Sequence, residues 1–588
     1  MRATRLLCLP LLLLAAVATA QAATVVRVDI RGLDEPMAQN ARLALPLVDA
    51  IGKDLSGRRL ALLLREAPAQ VRSALEPFGY YSAQVDVQRL AVAGQPRQAA
   101  IRIDVDPGTP VRVRGERISI SGDGGDDTSL QRGVAAFRPA IGDVFDQGVY
   151  EAGKARIAGQ LADRGYFDAA LAEHRVEVTR AEHAADIALA WRSGTRYALG
   201  PVDFEQAPQA IIHERVLDKL VDWMPGDPYQ QDSIDRLRQS LMALDYFSRI
   251  DIEPDPANAV DHQVPVQVRL APAKRSIYIA GVSYGTDSGP GVRLGVERRY
   301  LNARGHKAQA ELDYAQRRRT LTLQYRIPAF AWLDGWYTAS LQAADEQTDY
   351  IDTRRVEFVA SRSGEVNMHL TANVSLHVLR ERWAYPAQGL APAWQYGTFT
   401  FPALRAEYID VDDRLYPRRG MSSSLELRGG AKGAGSDADF AQVHARASWF
   451  KGLGADNRLI LRGELGHTFT DAVVDLPPSL RFYAGGDRSI RGYDYREVGP
   501  RLGTFGLGAN NLITASSEFE HYFTEQWGGA VFVDTGSAFN GRTPDWRTGV
   551  GIGLRWRSPV GPLRVDLAHG LDHPDANFTL SLNFGADL

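Results

Sequence analysis

The sequence predicts a two-part fold, α+β repeats followed by an all-β transmembrane barrel of about 16 antiparallel strands. Three observations predict it. The first 22 residues read as an export leader. A tyrosine corner then recurs at Tyr80, Tyr166 and Tyr246, at spacings of 86 and 80 residues, so the repeat is domain-sized. From about Ala273 the hydropathy alternates with period two to the end of the chain.

Residues 1–22 carry Arg2 and Arg5, an apolar run over 6–18, and the small-residue triplets Ala18-Thr19-Ala20 and Ala20-Gln21-Ala22. This is a secretory signal peptide with cleavage expected after Ala22. It contains Cys8, the only cysteine of the 588 residues. The mature chain therefore has no thiol nucleophile, disulfide or cysteine-ligated metal. Loss of the two leader arginines takes the formal charge from −4 to −6. An exported, mildly acidic chain is not built for general nucleic-acid binding. No later segment has the ~18 uninterrupted apolar residues of a spanning helix, so membrane entry requires a barrel.

Three units follow, 23–106, 107–192 and 193–271. Each opens on a short strand (25–30, 117–120, 202–205) and continues into stretches with apolar residues at helical spacing, such as 211–221 and 231–244. Each helical part ends in a corner: Phe78-Gly-Tyr-Tyr81, Arg164-Gly-Tyr-Phe167, Leu244-Asp-Tyr-Phe247. The second and third units share Gly142-Asp143 and Gly226-Asp227 before their second helix. Strand pairs close the units, 83–89 with 100–105 and 249–252 with 264–270. A sheet edge in such a unit can accept an extended segment through main-chain hydrogen bonds; rigid spacing is the plainer role.

Residues 272–588 form the barrel region. Leu321, Leu323 and Tyr325 alternate with Thr322 and Gln324; Leu563, Val565 and Leu567 alternate with Arg564, Asp566 and Ala568. One apolar and one polar face suit a wall between lipid and a wet lumen. A soluble sandwich would alternate similarly. Against it stand the long helix-free run, eight of the ten tryptophans, many near strand ends (Trp332, Trp336, Trp449, Trp527, Trp556), and turns that alternate short (363–366, 452–456, 558–561) with long (381–395, 468–510).

The stretch Arg481-Phe-Tyr-Ala-Gly-Gly-Asp-Arg-Ser-Ile-Arg-Gly-Tyr493 lies in the longest loop, 468–510, which falls between the eleventh and twelfth predicted strands. Gly485 and Gly486 permit a turn that Asp487 and Arg488 continue. No catalytic constellation accompanies it. His569 and His573 are spaced i, i+4 around a glycine turn, without the helix or glutamate of a zinc site. Gly549-Val-Gly-Ile-Gly553 alternates as a strand with a small-residue lumen face, not as a phosphate loop. No enzyme, cofactor or metal site is expected.

The repeat, a β-α-α-β-β unit with an aromatic corner, resembles the POTRA domain (polypeptide-transport-associated). Ile490-Arg-Gly-Tyr493, with Pro477-Pro-Ser-Leu-Arg-Phe482, Ala530-Val-Phe-Val-Asp-Thr-Gly536 and Ser558-Pro-Val-Gly-Pro-Leu-Arg564 nearby, resembles the loop motif and surroundings of the BamA/TamA/FhaC superfamily of outer-membrane assembly and secretion proteins. With three POTRA-like units the chain is similar to the TamA group. The resemblance implies that the loop folds inward and that Arg491, with Gly492 and Tyr493, meets acidic residues of the inner wall. Glu518 and Asp534 suit that role, being on the polar faces of their strands, opposite Phe519, Val531 and Val533. It implies a lateral gate between the first and last strands, represented by Ile277, Gly281, Leu582 and Phe584, where a client strand adds to the barrel edge. It implies unfolded outer-membrane proteins such as autotransporters as clients, outer-membrane lipid as surroundings and possible cargo, and a TamB-like inner-membrane-anchored partner docked on the first POTRA unit. The alternative is an export pore of the two-partner-secretion type, which needs the lumen to open.

Overall fold

The computed structural model describes residues 23–285, 289–330, 333–347, 352–385, 393–502, 505–558, 561–572 and 578–584; the expected signal peptide, Trp332 and His573 lie outside them. The chain divides into two compact units.

The first unit holds two sheets of one design. In the first, Ala23–Arg31 runs parallel to Gln95–Asp106, which pairs antiparallel with Gln84–Val92. Two helices cover this sheet, Glu35–Ala44 and Gly57–Leu75, with the Asp34 and Ser56 side chains accepting from first-turn amides. Leu60, Leu63, Ala67 and Val71, at helical spacing, bury against Val25, Ile101 and Ile103. In the second sheet Arg112–Ser121 is parallel to Ala184–Arg192, which pairs antiparallel with Ala170–Thr179. Its helices are Thr128–Ala135 and Gln147–Asp163. The glycines of the two corners take left-handed backbone, φ +87° at Gly79 and +83° at Gly165. Each corner carbonyl accepts from an amide further along the chain, Gly79 from Val111 at 2.8 Å and Gly165 from Tyr197 at 2.9 Å. The shared Gly-Asp turns also match. Gly142 and Gly226 have φ of +92° and +100°, and the Asp143 and Asp227 carboxylates accept from the amides of Ala140 and Met224.

The second unit begins with most of a three-stranded sheet, ordered Ala198–Gln206, Gln263–Pro272, Phe247–Pro254. The helix expected over 211–221 is only Glu214–Leu217, followed by a 3-10 turn at Asp218–Leu220. The Gln206 amide explains the difference, because its oxygen accepts from the amides of Ile211 and Ile212 and its nitrogen donates to the Ile212 carbonyl. Those bonds satisfy the backbone in a non-helical path. At the third corner Asp245 stands where the other repeats have glycine, still left-handed at φ +53°, and its carboxylate accepts from Arg299 at 2.7 Å. The Tyr246 hydroxyl donates to the Gly305 carbonyl at 2.5 Å.

The rest of the second unit is a 16-stranded antiparallel sheet, from Ser276–Gly285 to Thr579–Phe584. Alternate side chains face outward and are exposed, among them Leu321, Leu323, Phe519, Val531 and Val533. Two details differ from the sequence reading. The turn expected at 363–366 lies further on, since the sixth barrel strand, Asp352–Asn367, continues until the Asn367 side chain accepts from the amides of His369 and Leu370. Trp336 faces inward and is buried, because its neighbour Tyr337 takes the outward position shared by Leu341; its indole donates to Asp334. Trp449 and Trp527 are outward and exposed.

Candidate functional site

The longest loop joins the eleventh barrel strand, Asn457–Phe469, to the twelfth, Asn511–Tyr522. Gly485 and Gly486, at φ +97° and +98°, turn the chain back, and the Gly486 amide donates to the Tyr493 carbonyl at 3.1 Å. Asp487 is half-buried and Arg488 exposed at this tip. Behind it Phe482, Ala484, Ile490, Tyr493 and Val498 form a small apolar cluster with Leu512 and Ala538 of the wall. The loop therefore carries its own core to the inner face of the sheet.

That packing delivers Arg491. Its Nε donates to Asp534 Oδ2 at 2.7 Å and its Nη2 to Asp534 Oδ1 at 2.9 Å, a two-pronged pair. The Arg491 amide donates to the same carboxylate at 3.1 Å. Nη1 donates to Glu518 at 2.7 Å and to Asp566 at 3.3 Å. The guanidinium carbon lies 3.4 Å from the ring centre of Phe532, a cation–π contact. Arg491, Glu518 and Asp534 are all buried, 5%, 0% and 1% exposed.

The structure also shows a larger network than the sequence indicated. Arg555 donates to Glu518 at 2.6 Å, to Asp566 at 2.6 Å and to Glu520 at 3.0 Å. Arg458 donates to Glu520 at 2.5 Å, and Arg462 lies 3.6 Å from Glu518. These arginines, with Arg564 beside Glu518 and Glu520, offset the four carboxylates where isolated charges would be costly. Arg555, Asp566 and Arg458 were legible only as inward positions of alternating strands; nothing local marks them as partners. Gly549 fits the loop by having no side chain. A Cβ there would fall 1.8 Å from the Arg491 carbonyl oxygen. Gly492, at φ +95°, runs against the backbone of His569 and Gly570. Tyr493 then donates to the Thr548 carbonyl at 3.3 Å, and its oxygen accepts from the Asp572 amide at 3.2 Å. The loop therefore touches the twelfth to fifteenth strands.

The seam is different. The first strand, with Ile277 and Gly281, pairs along its length with Gly289–Arg298. The sixteenth pairs with the fifteenth only from Thr579 to Phe584, placing Leu582 opposite Val565. These two strands end the sheet order, and among the described residues no ladder joins them. Val282 is 90% exposed, more than outward residues inside the sheet such as Val533 at 43%. Among the described residues, a Cβ on Gly281 would meet only Arg293 Cβ, at 4.0 Å. Among the described residues no His/Cys/Asp/Glu group has a metal-binding arrangement.

Comparison with known proteins adds the following. The model for the Omp85 superfamily domain matches residues 301–586. The model for POTRA domain TamA domain 1 matches 27–107, and the POTRA model described as surface antigen variable number repeat matches 197–272. The outer membrane protein assembly factor BamA of Nitratidesulfovibrio vulgaris is 22% identical over 440 residues, 71% of this chain and 54% of that protein. BamA of Neisseria meningitidis serogroup B is 19% identical over 421 residues, 61% and 52% of the two chains. The chain thus spans about half the length of these relatives. The crystal structure of BamA from Haemophilus ducreyi lacking POTRA domains 1-3 superposes with a TM-score of 0.64 at 17% identity, covering 81% of this chain and 99% of that one. It shares the fold.

Proposed function

We propose, from the premise that this chain belongs to the Omp85 superfamily and carries a TamA-type first POTRA domain, that it is an outer-membrane assembly factor. It inserts barrel proteins such as autotransporters through the seam between its first and sixteenth strands. The units 23–106, 107–192 and 193–271 act as periplasmic POTRA domains. The first of them docks a TamB-like partner, with phospholipid as a further cargo of the pair.

The observation that carries this reading is a seam that no ladder closes among the described residues, beside a braced wall. A strand edge with open N–H and C=O groups can accept a client strand by main-chain hydrogen bonding. Arg491 and Tyr493 meanwhile tie the loop to the wall as far as the fifteenth strand and its following turn. In this reading Arg491, Gly492, Tyr493, Glu518 and Asp534 form a loop–lumen lock, and Ile277, Gly281, Leu582 and Phe584 mark the gate. An export pore would need the buried network around Arg491 to part, so the same observation favours the gate.

The mature chain has no cysteine, which makes a direct test possible. One cysteine is placed near Ile277 and one near Leu582, and client insertion by the reconstituted protein is compared with the seam oxidised and reduced. Reversible loss on oxidation is the expected result. Full insertion with a quantitatively locked seam would move the activity to the lumen or the POTRA domains.

A further inference from the structure

The outer face of the barrel carries charge beside its apolar band. Register places Tyr314 opposite Arg319, Arg319 opposite Asp345, and Asp345 opposite Arg354. Arg354 then stands opposite Arg382, and Arg382 opposite Tyr396, completing one row across the third to eighth strands. The next row toward the middle of the wall is Leu312, Leu321, Ala343, Val356 and Arg380. These rows face outward: Leu312, Leu321, Val356 and Tyr396 are exposed, whereas Leu379, Glu381 and Trp383, at alternate positions of the seventh strand, are buried inside. They lie at the long-loop end, where the fifth and seventh strands finish at Gln347 and Ala384.

Four arginines share this patch with two carboxylates, Asp345 and Asp352, the latter two positions before Arg354 on the same face. Among the described residues Asp345 reaches only Arg354, at 3.2 Å. Arg382 stacks on Trp394 at 4.5 Å and Arg319 on Tyr314 at 4.9 Å, so both guanidinium groups rest on rings rather than on carboxylates. Arg380 reaches the Thr398 hydroxyl at 3.5 Å. Arg354 and Arg382 are direct cross-strand neighbours, like charges that Asp345 and Asp352 beside them offset only in part, leaving the four arginines in excess. Below the arginines the small side chain of Ala343, between Leu321 and Val356, leaves a trough of about 480 Å³. A cationic rim above an apolar trough, at the outer boundary of a membrane wall, matches a molecule with phosphate at one end and acyl chain at the other.

We propose that this patch binds a phosphorylated acyl lipid of the outer leaflet, of the acylated sugar-phosphate class. Arg354, Arg380 and Arg382 hold the phosphate, and an acyl chain lies in the trough over Ala343. The site is on the wall away from the seam, so it anchors the barrel in its leaflet independently of client handling.

The test is native mass spectrometry of the full-length protein in detergent with added bisphosphorylated lipid A, its dephosphorylated form, and inorganic phosphate as competitor. The parent protein and R405Q, which alters a different region of the eighth strand, should retain bisphosphorylated lipid A equally. R354Q/R382Q should retain it at least tenfold less, and the parent should bind the dephosphorylated lipid at least tenfold less. The double variant should also lose the lipid-induced rise in Tm that the parent shows. Equal retention by R354Q/R382Q, equal binding of the dephosphorylated lipid, or displacement by millimolar inorganic phosphate would each overturn the proposal.

Discussion

Replacing Arg491 with methionine keeps much of the side-chain length and removes the charge. The cost is set by what it leaves behind. Glu518 and Asp566 each keep a bond of 2.6 Å from Arg555. Asp534 keeps Ser516, which donates at 2.7 Å, but no cation bonds it among the described residues once Arg491 is gone. One stranded buried carboxylate therefore dominates, about 3–5 kcal/mol, rather than the sum of every Arg491 bond. Replacing Asp534 with asparagine should itself be costly, because Arg491 loses its two-pronged partner. In the double variant the second change should add little. A double-mutant cycle on urea unfolding of the detergent-solubilised protein should give a coupling energy of about 2–3 kcal/mol, near the upper range for residues in one network. Additivity within about 0.5 kcal/mol would refute the view that these residues form one buried unit.

Gly549→Ala should dislodge the loop without touching a charge, because the new Cβ would lie 1.8 Å from the Arg491 carbonyl; protease cleavage within 481–493 should rise at least tenfold over the parent. At the third corner, Asp245→Gly relieves a left-handed residue but loses the partly exposed Arg299 pair, so the two effects of about 1 kcal/mol nearly cancel, while Asp245→Ala keeps the strain and should cost about 1–2 kcal/mol. Denaturant unfolding should rank Gly above Ala. The Asp127 carboxyl is partly buried, which favours its neutral form, yet the Arg164 guanidinium and the amides of Ser129 and Leu130 hold it below the ordinary carboxylate range. Its contribution is therefore complete above the unfolded pKa of about 3.9 and fades as pH falls through the lower folded value. Hydrogen exchange in Thr128–Ala135 should accelerate over that acidic window, and Asp127→Asn should flatten the dependence. Amides of Thr579–Phe584 should exchange much faster than those of the twelfth and thirteenth strands, which have partners on both sides.

The barrel was legible because period two is a local property: Phe519 and Val531 outward and Glu518 and Asp534 inward follow from alternation alone. The loop was legible because glycines at 485, 486 and 492 mark backbone that other residues rarely adopt. The partners of Arg491 were only half legible. Glu518 and Asp534 lie on strands that follow the loop closely, whereas Arg458, Arg555 and Asp566 come together only when the sheet curls and its register is fixed. Trp336 shows the same limit: its strand-end position is local, whereas the parity with Tyr337 that places it inside follows only from the strand's register. At the third corner, Asp245 hides a backbone requirement that Gly79 and Gly165 advertise.

The same contrast of local and long-range order separates the braced strands from the last one. From the twelfth to the fifteenth strand the wall is held by neighbours and also by the loop, through Arg491, Gly492 and Tyr493. The sixteenth strand has a six-residue ladder on one side and, among the described residues, none on the other. Local opening follows the elements with least cooperative support, so separation should begin at that strand and stop at the fifteenth, where further opening would expose the charges around Glu518. In the proposed gate, the loop contacts beside the seam would therefore do more than stabilise the lumen: they would limit how many strands can leave while the edge takes a client strand.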